Sequence, residues 1–210
     1  MSQQNLDKKT SSMHLPNVLT IIRIIFIPIF IGLYYFENSY HPSTETEFGT
    51  NFYSYLVFTI AAVTDLFDGY LARKYKLTSK FGAFLDPVAD KLIVCSALVL
   101  VVEHFSHPNP WIKYSWILTL PSLIIIGREI LISALREWMA ELSKRTVVSV
   151  SWIGKWKTTI QMFAIAGVIW QQADWMVYAS VTLLYVAALL TVISMVQYLH
   201  AAWNDLIADM

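Results

Sequence analysis

The feature that most restricts this chain is the scarcity of charge within runs of about 20 residues. From Val18 to Phe36 the one charged residue is Arg23. A helix of about 20 residues crosses the roughly 30 Å hydrocarbon core of a bilayer, and lipid admits only backbone whose polar groups are paired internally. Six segments meet or nearly meet that length: residues 17–36, 52–72, 84–104, 114–136, 152–171 and 175–200. Only 14% of the 210 residues are charged, against about a quarter in soluble domains, so these runs have little polar surface to turn toward water. The expected fold is an all-α integral membrane protein, a six-transmembrane-helix bundle. Residues 1–14 are expected as a cytosolic N-terminal tail or surface helix, 15–203 as the six-helix domain and 204–210 as a short C-terminal tail.

Loop charge predicts the orientation. The loop over 37–50 has no lysine or arginine, whereas the second carries Arg73, Lys74, Lys76 and Lys80. The third has only Lys113, the fourth has Arg136, Lys144 and Arg145, and the fifth, around Asp174, has none. The positive-inside rule then places both termini and the even-numbered loops in the cytosol. Lys8 and Lys9 precede the first apolar run as in a signal peptide, but that run is too long for one and no A-x-A site follows, so it reads as the first spanning helix. A net charge of zero gives no reason to expect nucleic acid, and the single Cys95 excludes an internal disulfide framework. Trp111, Trp116, Trp152 and Trp175 fall near helix ends, as interfacial tryptophans do.

The second and third segments carry carboxylates where an ordinary span would stay apolar. Phe52 to Thr64 is uncharged, then Asp65 and Asp68 arrive; Asp86 and Asp90 precede the apolar run from Leu92 to Val102. Positions three and four apart share a helix face, so Asp65, Asp68, Gly69 and Ala72 form one stripe and Gly82, Asp86 and Asp90 another. Pro87 fits best in a first turn, so the third helix is expected to start or kink near Asp86. At about 1.5 Å per residue both pairs lie on the order of 10 Å inside the cytosolic boundary. Four carboxylates there cannot all stay ionised without cations. All-oxygen ligation suits Mg²⁺ or Mn²⁺ rather than zinc. A lone aspartate pair has a second reading as a helix cap or a packing device, but two pairs at one depth read as a metal site.

The run D65-L-F-D68-G69-Y-L-A72-R73, eight residues, then G82-A-F-L-D86-P-V-A-D90 resembles, position for position, the signature of the CDP-alcohol phosphatidyltransferase family. The resemblance extends through P16-N-V-L-T20-I-I-R23, the segment from Gly127 to Glu141 and that from Ser151 to Gln161. The glycerol-phosphate-using bacterial branch of the family is the most similar. It implies a multi-pass protein of the bacterial cytoplasmic membrane, commonly a homodimer, that transfers the phosphatidyl group of CDP-diacylglycerol to sn-glycerol 3-phosphate and releases CMP. It also implies two divalent cations held by Asp65, Asp68 and Asp86, with Asp90 touching the second metal and acting as general base. Gly69, Ala72 and Gly82 would make room for the cytidine, Arg73 would bind the diphosphate, and Asn17 and Thr20 would line the nucleotide side. Inositol phosphate, serine or phosphatidylglycerol are acceptors elsewhere in the family.

A phosphate-bearing acceptor needs cations. Arg128 lies deep in the fourth segment with Arg136 on its stripe, Lys155 enters the fifth, and Arg23 sits in the cytosolic half of the first. Arg128, Arg136, Lys155 and Arg23 are the expected acceptor-phosphate set, with Glu129 available to pair Arg128. Lys144 and Arg145 read as snorkelling to lipid phosphates, and Lys157 fits that account as well as a binding role. A cation-coupled transporter also uses intramembrane carboxylates, but its site belongs near the midplane with paired repeats. This chain has neither.

Overall fold

The structure is a computed structural model. It describes the backbone of residues 3–40, 51–75, 80–141 and 152–208, and side chains at 20–39, 51–64, 85, 87–139 and 156–203. Six helices follow one another, with no strand among the described residues: α1 (Gln3–Tyr40), α2 (Phe52–Tyr75), α3 (Lys80–His104), α4 (Trp116–Glu141), α5 (Trp152–Trp170) and α6 (Asp174–Ala208). Three contain spans long and apolar enough to cross a membrane, Thr20–Ser39, Trp116–Met139 and Asp174–Trp203. Large apolar side chains face outward on them and on α5, including Leu123 (66% exposed), Ile130 (64%) and Phe163 (69%). That exposure is costly in water and neutral in lipid. The chain is an all-α membrane protein.

Two helices outrun their apolar cores. Residues 3–14 are helical and continuous with α1, and α6 runs on through Ala208. Pro87 is not in a first turn but eight residues into α3, and a second interior proline, Pro121, sits in α4. Each removes one intrahelical hydrogen bond.

The helices form two compact units, residues 1–100 and 101–210. In the first, α1 packs on α2 through Phe30 and Phe58, whose ring centroids are 5.9 Å apart. The start of α2 is capped from another helix. Asn51 holds the cap position, its carbonyl accepting from the Tyr55 N–H at 2.9 Å. Its own side chain is buried without a partner among the described residues. Instead the buried carboxylate of Glu37, near the end of α1, accepts from the backbone N–H of Tyr53 (2.9 Å) and Ser54 (3.0 Å) and from the Ser54 hydroxyl. Those N–H groups are orphans of a helix's first turn.

In the second unit α4 and α5 each pack on α6. Ile132, Leu135 and Met139 meet Tyr198 and Ala202 across the α4–α6 seam. At the α5–α6 seam the backbones approach closely: a Cβ on Gly167 would stand 2.0 Å from Ser180 Oγ and 3.1 Å from its Cβ. The α5 helix ends at Trp170, and the next residue, Gln171, adopts a left-handed φ of 51° and donates its N–H to the Gly167 carbonyl (3.4 Å). Trp111 does more than sit at an interface, since its indole N–H donates to Asp174 at the start of α6 (2.7 Å).

Candidate functional site

The carboxylate motif lies on continuous helix. α2 runs unbroken through Asp65, Asp68, Gly69, Ala72 and Arg73, and α3 through Gly82, Asp86 and Asp90. The spacings of three and four that the sequence reading relied on are therefore helical registers. The side chains of Asp65, Asp68, Gly69, Ala72, Arg73, Gly82 and Asp86, and those of Asn17 and Lys155, lie outside the described residues, as do Lys144 and Arg145 altogether. Among the described residues no three His, Cys, Asp or Glu side chains converge on a point.

Asp90 is described, and it has an acquired partner. Arg23 of α1 donates a hydrogen bond to its carboxylate from 67 positions away. The guanidinium is 1% exposed, whereas 41% of the Asp90 side chain is exposed. A buried arginine tied to a carboxylate is not snorkelling. The sequence had grouped Arg23 with the acceptor cations; the structure joins it to the carboxylate expected to be the base. An all-oxygen set that keeps one carboxylate accessible suits a hard divalent cation. Thr20, one turn earlier on α1, is likewise buried.

The second unit holds a cationic cluster. Arg128 is buried at mid-α4 and donates Nη1 to Glu129 (3.3 Å) and Nη2 to Ser194 Oγ of α6 (3.0 Å). Lys157 of α5 is also buried and donates to the same Glu129 carboxylate. Arg136, two turns beyond Arg128, is exposed yet donates Nη2 to the Tyr198 hydroxyl (3.1 Å). Arg128 and Lys157 share one carboxylate, an excess of one positive charge in this described trio, and Arg136 adds a further cation on α4. Capacity for a ligand remains: Arg128 Nε and Gln161 Oε1, one turn on from Lys157, are buried without partners among the described residues. Buried polar groups in that state are uncommon.

The pairing of Arg128 with Glu129 was readable from adjacency. The weight of Lys157 was not, because a lysine near a helix start looks the same whether it reaches lipid or folds inward. Ser194 and Tyr198 gave one faint signal, two polar atoms at spacing four on one face of α6.

Comparison with known proteins settles the lineage. The family model for CDP-alcohol phosphatidyltransferase matches residues 13–196, most of the chain. The chain belongs to the CDP-alcohol phosphatidyltransferase family. Proteins of Salmonella typhimurium and of Escherichia coli K12, both named CDP-diacylglycerol–glycerol-3-phosphate 3-phosphatidyltransferase, are each 50% identical to it over 194 residues. The match covers 92% of this chain and 97% of each relative. The phosphatidyltransferase match therefore takes in both the carboxylate helices and the cationic cluster.

Proposed function

We propose that this chain is a phosphatidyltransferase that joins CDP-diacylglycerol to sn-glycerol 3-phosphate, giving phosphatidylglycerol phosphate and CMP. The observation that carries this is an intact two-helix carboxylate motif in a chain half identical, over nearly their whole length, to enzymes named for that reaction. The primary hydroxyl of the acceptor attacks the phosphorus that bears the diacylglycerol. A new P–O bond forms as the bond to CMP breaks, and the hydroxyl proton passes to Asp90. Arg23 holds the Asp90 carboxylate in place from α1. Asp65, Asp68 and Asp86, with Asp90, would hold two divalent cations, Mg²⁺ or Mn²⁺, which when bound supply charge neutralisation at the diphosphate.

Gly69, Ala72 and Gly82 leave room for the nucleotide, with Asn17 and Thr20 beside it and Arg73 on the diphosphate. Arg128, Arg136 and Lys157, with Lys155 at the entry of α5, recognise the acceptor phosphate. These cations outnumber Glu129, which compensates the buried Arg128 and Lys157, and the remaining positive charge suits a phosphate anion. Loop charge supports a cytosolic active site and cytosolic termini in six spans of a bacterial inner membrane, and family likeness supports a homodimer.

An acceptor screen tests the proposal. Purified protein with CDP-diacylglycerol and Mg²⁺ is expected to release CMP with glycerol 3-phosphate and not with serine, inositol phosphate or phosphatidylglycerol. Release with one of those alone would move the chain to another branch of the family.

A further inference from the structure

We infer that Tyr198 of α6 is a positioning residue for acceptor recognition, holding Arg128 and Arg136 ready for a phosphate. The inference rests on the reading that these cations bind the acceptor. Two guanidinium groups gathered around one aromatic ring repel each other when no anion lies beside them, and long arginine side chains lose much rotamer freedom when fixed. Something must lower that cost before the ligand arrives.

Tyr198 is built to do so. Arg128 Cζ stands 5.6 Å from its ring centroid and Arg136 Cζ 5.3 Å from the same centroid. Both lie within the range at which a ring quadrupole attracts a cation. The Tyr198 hydroxyl accepts from Arg136 Nη2 at 3.1 Å, and Ser194, one turn earlier, accepts from Arg128 Nη2 at 3.0 Å. The two arginines leave α4 about 12 Å apart along its axis, and one α6 side chain is a partner to both.

The ring itself cannot wander. It is 5% exposed and packed against Ile132, Leu135 and Met139 of α4. Among the described residues Arg136 has no carboxylate partner, and Arg128 shares Glu129 with Lys157. Tyr198 therefore supplies what a second carboxylate would, an attraction for cations, without adding a negative charge that would repel phosphate.

Steady-state kinetics with the detergent-purified full chain test this. Tyr198→Leu is expected to raise the KM for glycerol 3-phosphate about tenfold, with kcat falling less than KM rises and the KM for CDP-diacylglycerol staying put. Inorganic phosphate, used as a competitive inhibitor against the acceptor, is expected to weaken by the same factor. Tyr198→Phe keeps the ring and is expected to recover most of the loss, leaving a rise of about threefold for the missing hydroxyl. An acceptor KM and phosphate inhibition unchanged in Tyr198→Leu would overturn the inference. Should the leucine variant not purify folded, an unchanged acceptor KM in Tyr198→Phe would do so. Arg136→Gln and Lys157→Met separate the two levels. If they leave the acceptor KM unchanged, the cluster is not the phosphate site at all. If they raise it while the Tyr198 variants do not, the phosphate site stands and Tyr198 is only packing.

Discussion

Replacing Arg128 by lysine keeps a positive charge at mid-α4 but removes the planar fork. In the structure one arm of that fork reaches Glu129, the other reaches Ser194, and Nε is buried without a partner among the described residues. A lysine ammonium is a single point and cannot serve both arms while presenting a second donor to phosphate. At least one charge-assisted hydrogen bond goes, worth about 1.5–3 kcal/mol. Since 1.4 kcal/mol is a factor of about ten, the KM for glycerol 3-phosphate should rise roughly 10- to 100-fold. The lipid substrate does not depend on this fork, so its KM should move by less than about twofold. The assay is the initial rate of CMP release, with glycerol 3-phosphate varied at saturating CDP-diacylglycerol and then the converse. A folded Arg128→Lys protein whose acceptor KM stays near the parent value, or whose two KM values rise together, would refute the reasoning.

Further expectations concern the scaffold. In Glu37→Gln one carboxylate oxygen becomes an amide that cannot accept, so whichever way it faces one backbone N–H, of Tyr53 or Ser54, loses its acceptor, costing about 1–3 kcal/mol; thermal unfolding in detergent would show this as a lowered Tm, and parental melting would disprove it. Gly167→Val should lower Tm further than Gly32→Val, because a Cβ at Gly167 meets Ser180 while one at Gly32 meets nothing within 4 Å; equal shifts would contradict the close α5–α6 seam. Gln171→Gly relieves a left-handed non-glycine backbone, a strain of about 1–2 kcal/mol, and should raise Tm; a lowered Tm would contradict this.

What could be read from the sequence was whatever depends on neighbours along the chain. The four aspartates at helical spacing are such a pattern, and α2 and α3 do run unbroken through them. So is the start of α2 at Phe52 and of α5 at Trp152. Apolar runs predicted helix positions well and lengths poorly, because hydropathy reports what sits in lipid and not where a helix stops; hence α1 from Gln3 and α6 to Ala208. Pro87 left two readings, a helix start or a kink near Asp86, and α3 begins at Lys80 instead, which removes the first. Long-range partners were out of reach. Arg23 meets Asp90, Glu37 meets Ser54, Lys157 meets Glu129 and Arg136 meets Tyr198 across 17 to 67 residues, and nothing in local spacing encodes which helix will lie beside which.

The most direct measurement weighs the product. Purified protein, CDP-diacylglycerol, glycerol 3-phosphate and Mg²⁺ are incubated, and lipid mass and CMP are quantified together, with Asp90→Asn alongside. The account predicts one phosphatidylglycerol phosphate per CMP from the parent and neither from the variant. Formation of phosphatidic acid in its place, or parental turnover by Asp90→Asn, would contradict it.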